Sequence, residues 1–114
     1  MDKATPAGED SHGLDIAVVG DVISMMWDYG IRVPLWDEGG ALPDEPQWLR
    51  EVLGLSDSLI EDLTRWGDDM LGLDATPSLR TEEAYEALDL RAQALAQRLQ
   101  QEVGSRYTIK YRAW

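Results

Sequence analysis

The clearest hydrophobic pattern lies between Thr81 and Gly104, where apolar residues recur at three- and four-residue steps. Thr81 can cap a helix at its start, and Gly104 allows a left-handed stop. Glu82 and Glu83 would face the positive end of the helix dipole. The pattern therefore predicts one long amphipathic helix with a single core stripe: Tyr85, Leu88, Ala92, Leu95, Leu99 and Val103.

Two shorter helical patterns precede this helix. Asp44 is the predicted N-cap of the first, with Pro46 in its first turn and Gly54 as its stop. Ser56 is the predicted N-cap of the second, and Gly72 its stop. The expected core positions are Trp48, Leu49, Val52 and Leu53 in the first, and Leu59, Leu63, Trp66 and Met70 in the second.

The first half of the chain carries strand patterns. Residues 16–19 and 22–29 predict two strands joined by a turn at Gly20-Asp21, with one long strand as the alternative. In the second strand Ile23, Met25, Trp27 and Tyr29 would share the core face. Residues 30–43 contain three Gly and two Pro and are predicted to form a loop, with room for a short extended piece around Ile31–Leu35.

The last strand pattern is an alternation over residues 106–112. Tyr107, Ile109 and Tyr111 would face the core, and a basic solvent face would carry Arg106, Thr108, Lys110 and Arg112. The elements together predict an α+β fold. A small sheet, built from an N-terminal hairpin or strand and this C-terminal strand, would be covered on one face by two or three helices. We expect one domain over residues 15–114 and a disordered tail over residues 1–14.

Composition excludes several kinds of chemistry. The 114 residues include no cysteine and one histidine, His12, which falls in the predicted tail. Cysteine nucleophiles, thiolate metal sites and disulfides are thereby excluded, and a histidine-assisted nucleophile is disfavoured. Neither a glycine-rich phosphate loop nor the spacing of an EF-hand occurs. We therefore predict no catalytic residue, no metal and no cofactor.

The formal net charge of −12 is the strongest global signal. It opposes direct contact with nucleic acid or anionic membranes and favours a basic protein partner. Residues 37–69 contain only Arg50 and Arg65 as bases, whereas residues 104–114 contain no acid. With no signal-peptide pattern and no apolar stretch long enough for a bilayer, the chain is predicted to be cytoplasmic. The acids of residues 37–69 are Asp37, Glu38, Asp44, Glu45, Glu51, Asp57, Glu61, Asp62, Asp68 and Asp69.

Two Trp-Asp pairs, at residues 27–28 and 36–37, raise the question of a binding surface. Trp36 falls in the predicted loop beside two acids, a combination typical of an aromatic anchor rimmed by charge in a protein interface. The alternative is that its ring folds back onto the sheet edge. The predicted partner-binding residues are Asp28, Tyr29, Trp36, Asp37, Glu38, Asp44 and Glu45.

Three segments carry a resemblance to a known group. They are W-D-Y-G…P-L-W, the helical L-S-D-S-L-I-E-D-L-T-R-W, and A-L-A-Q-R-L-Q-Q-E-V-G…Y-T-I-K-Y. Across residues 22–112 the chain resembles small acidic bacterial proteins associated with the immunity proteins of toxin systems. The resemblance implies toxin neutralisation and assigns no functional residue.

Three hypotheses for function follow. The first is an immunity protein or antitoxin that occludes the active site of a basic toxin, for which a nuclease is one candidate. The second is an acidic adaptor or scaffold subunit of a protein complex. The third is a small hydrolase that uses only carboxylates, with Asp28 and Asp37 beside Trp27 and Trp36.

Overall fold

The computed structural model describes residues 16–28 and 31–113, and it confirms the α+β fold. Four strands form one mixed sheet in the order β3-β2-β1-β4. Helices cover the face of this sheet that carries Ile23 and Met25. In chain order the elements are β1 (Val22–Met25), β2 (Leu35–Asp37), β3 (Gly40–Ala41), α1 (Pro46–Glu51), α2 (Asp57–Ala75), a 3-10 turn (Pro77–Leu79), α3 (Glu82–Val103) and β4 (Thr108–Tyr111).

The predicted N-terminal hairpin is wrong, because neither side of β1 is available to residues 16–19. β2 pairs with β1 in antiparallel fashion on one side, and β4 pairs with it in parallel on the other. Residues 16–19 form no strand. The Ile16 carbonyl instead accepts a hydrogen bond from the Trp48 indole, and the Val19 N–H donates to Asp37. The single long strand is wrong as well, since β1 ends at Met25.

The predicted loop over residues 30–43 contains two strands. Trp36 of β2 pairs with Ser24 of β1 on one side and with Ala41 of β3 on the other. The Asp37 carboxylate accepts the Gly39 N–H at 2.8 Å and closes the turn between β2 and β3. Glycine and proline therefore mark the ends of these very short strands.

Two of the three predicted N-caps are present in the structure. Ser56 and Thr81 are confirmed as N-caps, since their hydroxyls accept the N–H groups of Leu59 and Ala84. Asp44 is not the cap of α1: Glu45 holds that position and makes no side-chain cap bond.

The predicted helix stops differ from the structure at two glycines. Helix α1 ends at Glu51, with Gly54 following at φ +74°. Helix α2 continues past Gly72 to Ala75, because Leu73 is buried in the core and an interior glycine costs a helix only about 1 kcal/mol.

The core confirms the helical stripes. Leu59, Leu63, Trp66 and Met70 of α2 are buried, and so is every member of the α3 stripe except the half-buried Tyr85. In α1 and the residues after it, Trp48, Leu49 and Leu53 are buried, and Val52 is half-buried. The sheet and its loops contribute Ile23, Met25, Val33, Leu35 and Leu42.

Strand β4 and the residues beside it match the predicted alternation. Tyr107, Ile109 and Tyr111 are half-buried against the core, and Arg106, Thr108, Lys110 and Arg112 are exposed. The guanidinium of Arg106 also donates to the carbonyls of Val52, Leu53 and Val103. These carbonyls lie at the carboxyl ends of α1 and α3, where a cation is favourable.

Gly67 allows a loop to pass directly over α2. A Cβ atom built at Gly67 would lie 2.7 Å from the backbone carbonyl oxygen of Arg32, closer than real Cβ contacts allow. Gly72, five residues later in the same helix, has no atom within 4 Å of the corresponding position. The two helical glycines therefore differ in the space available for a side chain.

We expect Gly67→Ala to lower the free energy of unfolding by about 1–2 kcal/mol, because the Arg32 backbone must move. Gly72→Ala is the matched control and should raise it by about 0.5–1 kcal/mol through helix propensity. Urea unfolding of both variants measures the two values. A stabilising Gly67→Ala would show that the loop does not pack against α2 as described.

Candidate partner-binding surface

Three of the predicted partner-binding residues lie at one end of the sheet. Asp28 is exposed and follows the carboxyl end of β1. Met25, the last residue of β1, pairs with Leu35, and the Leu35 carbonyl accepts the N–H of Leu42. The chain after Leu42 therefore leaves the sheet at this same end, and it continues through Asp44 and Glu45 into α1.

Asp37 and Glu38 are not brought together with these three. Asp37 is the last residue of β2 and Glu38 follows it, at the end of the sheet where β1 begins. Glu38 lies against Gly20, whose φ is +80°. Both Asp37 oxygens bind backbone N–H groups, of Val19 at 2.7 Å and of Gly39 at 2.8 Å. Asp37 therefore has a local structural role.

Trp36 lies neither in a loop nor at the edge of the sheet, the two alternatives that the sequence left open. It lies inside the sheet, and its indole N–H donates to the Met26 carbonyl at 2.8 Å. Cross-strand register places Ala41, Trp36, Ser24 and Lys110 in one row on the face opposite the helices, which we call the outer face. The half-buried Trp36 ring is the largest apolar group in that row. Tyr29 lies outside the described residues.

Asp68 of α2 also lies at this end of the molecule, although no sequence pattern predicts it as a partner contact. The exposed Asp68 lines three neighbouring depressions. The first, of about 460 Å³, includes Pro46 of α1, and the second, of about 230 Å³, includes Trp27. The third, of about 540 Å³, includes Leu79. We call Asp28, Asp44, Glu45 and Asp68 the anionic end.

Ion pairs remove part of the acidic surplus of residues 37–69. Arg50 binds Asp57, and Arg65 binds Glu61 and Asp62. From α3, Arg98 binds Asp62 at 2.7 Å and Arg91 binds Asp69 at 2.8 Å. All of these side chains are at least one-third exposed, so each pair contributes little to stability.

Among the acids of residues 37–69, those without an ion pair include three members of the anionic end. Within residues 16–28 and 31–113, no lysine or arginine forms an ion pair with Asp44, Glu45 or Asp68. Glu38 and Glu51 are unpaired in the same sense but lie elsewhere. The surface is therefore suited to binding cationic groups of another molecule.

The described residues contain neither a candidate metal site nor a candidate membrane-spanning helix. No group of three or more Asp, Glu or His side chains there is arranged to hold a metal ion. None of the helices described combines the length and apolar character needed to cross a bilayer.

The comparisons with known proteins give one family. No curated protein matches the chain significantly. A family model described as Serratia CdiI immunity protein-like matches residues 21–113. That range contains every strand and helix of the structure, together with all four residues of the anionic end. The chain belongs to the Serratia CdiI immunity protein-like family.

Proposed function

We propose that this immunity protein neutralises a contact-dependent inhibition toxin by covering a positively charged active site, with a nuclease as the toxin class. Family membership supports the immunity role. The observation that supports occlusion is the anionic end, where Asp44, Glu45 and Asp68 have no intramolecular cation partner among the described residues.

The physical case depends on charge complementarity. A nuclease must hold phosphates, so its cleft carries Lys and Arg and a positive potential. Unpaired carboxylates on a chain of net charge −12 attract such a cleft over about 10 Å at ordinary salt. Carboxylates already paired with arginine add little to this field, so the unpaired ones should dominate recognition.

The proposed contact surface includes Asp28 together with those three carboxylates. Trp36, on the outer face, would supply a separate apolar anchor, as aromatic rings do in many interfaces. Tyr29, Asp37 and Glu38 remain predictions as contacts, with Asp37 already engaged by two backbone N–H groups.

Salt and charge reversal test this proposal on the cognate toxin, recovered by affinity capture with the intact protein as bait. We expect the association rate constant to fall steeply as salt rises, because screening shortens the range of attraction. Glu45→Lys should slow association by about three- to tenfold at low salt. Stopped-flow fluorescence measures both effects.

Glu51→Lys is the matched control, since it changes the net charge equally and Glu51 lies exposed at the other end of α1. Equal effects of the two substitutions would show that only total charge matters. A rate constant independent of salt would contradict electrostatic steering. A toxin that the protein binds and inhibits, but that cleaves neither DNA nor RNA, would contradict the nuclease assignment.

A further inference from the structure

The helical hairpin of α2 and α3 is longer than the sheet that it covers. Helix α2 has 19 residues and α3 has 22, which correspond to about 28 and 33 Å. β1 has four residues, or about 13 Å. The Tyr111 hydroxyl, at the end of β4, donates to Asp89 of α3 at 2.6 Å and marks where the sheet ends along α3. The end of α2 and the start of α3 therefore project beyond it.

The projecting tip contains an apolar groove that the sheet does not reach. This tip groove, of about 540 Å³, lies between the end of α2 and the start of α3. Leu73 and Leu88 line its floor and are both 7% exposed, whereas Leu79 at its lip is 56% exposed. Gly72 contributes no side chain, and a Cβ atom there would meet nothing within 4 Å. The groove is thus open to an apolar side chain from outside.

The charges around the tip groove select a cationic occupant. Asp68 lines the groove and forms no ion pair within the described residues, whereas Asp69 is bound by Arg91 at 2.8 Å. The nearby Arg80 guanidinium donates to the Asp74 carbonyl. An occupant with an apolar side chain for the floor and a lysine or arginine for Asp68 would satisfy both features.

We propose that the tip groove binds a basic amphipathic segment of the toxin, with one apolar side chain over Gly72 and one cation on Asp68. This inference rests on the proposed function, because the occupant belongs to the toxin. A second copy of this chain is disfavoured as the occupant, since each copy carries a net charge of −12. The groove also extends the anionic end, because Asp68 belongs to both.

Filling the groove tests the proposal with a variant that should fold well. Gly72→Leu places a side chain in open space and replaces glycine by a strong helix former. We expect its affinity for the cognate toxin to fall at least tenfold, and Asp68→Asn to weaken binding by about three- to tenfold. Isothermal titration calorimetry measures the affinities, and thermal unfolding verifies the fold of each variant.

The control for general surface effects is Leu90→Ser. It changes a leucine of α3 that is 61% exposed and does not line the groove, and it should bind within twofold of the unmodified protein. If the unmodified protein binds the toxin and Gly72→Leu binds equally well, the groove proposal is wrong. If the unmodified protein does not bind, the proposed function fails, and the groove proposal fails with it.

Discussion

Trp66→Ala is expected to lower the free energy of unfolding by about 3–5 kcal/mol. Trp66 of α2 is fully buried, and its indole N–H donates to the Leu88 carbonyl of α3 at 2.8 Å. The substitution leaves a cavity between the two longest helices and removes a hydrogen bond that joins them. Since domains of this size are stable by only about 5–15 kcal/mol, a large share of the total would be lost.

Urea unfolding followed by circular dichroism measures this loss. Trp36→Ala is the matched control, because Trp36 is only half-buried and lies on the outer face. It should cost clearly less stability than Trp66→Ala. Equal losses for the two tryptophans would contradict a core centred between α2 and α3.

Arg106→Met is expected to lower the free energy of unfolding by about 2–3 kcal/mol. Its Nε donates to the Val103 carbonyl at 3.1 Å and its Nη1 to the Val52 carbonyl at 3.3 Å, with a further bond to Leu53. One planar cation thereby satisfies carbonyls at the carboxyl ends of two helices, where its charge also complements both dipoles. Without it, these ends of α1 and α3 lose their common link.

Two further variants distinguish charge from geometry. Arg106→Lys keeps the charge but lacks the planar set of donors, so it should recover less than half of the loss. Arg112→Met removes an exposed arginine whose side chain forms no hydrogen bond or ion pair within the described residues, and it should change stability by at most about 0.5 kcal/mol. A loss as large as that of Arg106→Met would mean that total charge, and not the helix ends, explains both results.

The candidate surface could be predicted only in part from the sequence. Residue type predicts Asp28, Asp44 and Glu45 as partner contacts, and the structure places all three at one end of the sheet. Residue type also predicts Asp37 as a partner contact, yet its carboxylate accepts backbone N–H groups from two segments. Asp68 was missed, because its significance depends on neighbours from α1, the loop after β1 and the start of α3.

The elements whose signals are local could be predicted from the amino-acid sequence. The caps at Ser56 and Thr81, the apolar stripe of α3 and the alternation of β4 depend on residues within a few positions of one another. The net charge, and with it a preference for a basic partner, is likewise a property of the chain alone.

The pairing of the strands and of the acidic side chains depends on the tertiary structure. Residues 16–19 are as apolar as β1 but form no strand, because β2 and β4 occupy both sides of β1. Asp62 and Asp69 are bound by arginines of α3, whereas Asp68, beside Asp69 in α2, is not. The pairing of β1 with β4 and the ion pairs of Asp62 with Arg98 and of Asp69 with Arg91 join residues that are far apart along the chain, so no local pattern specifies them.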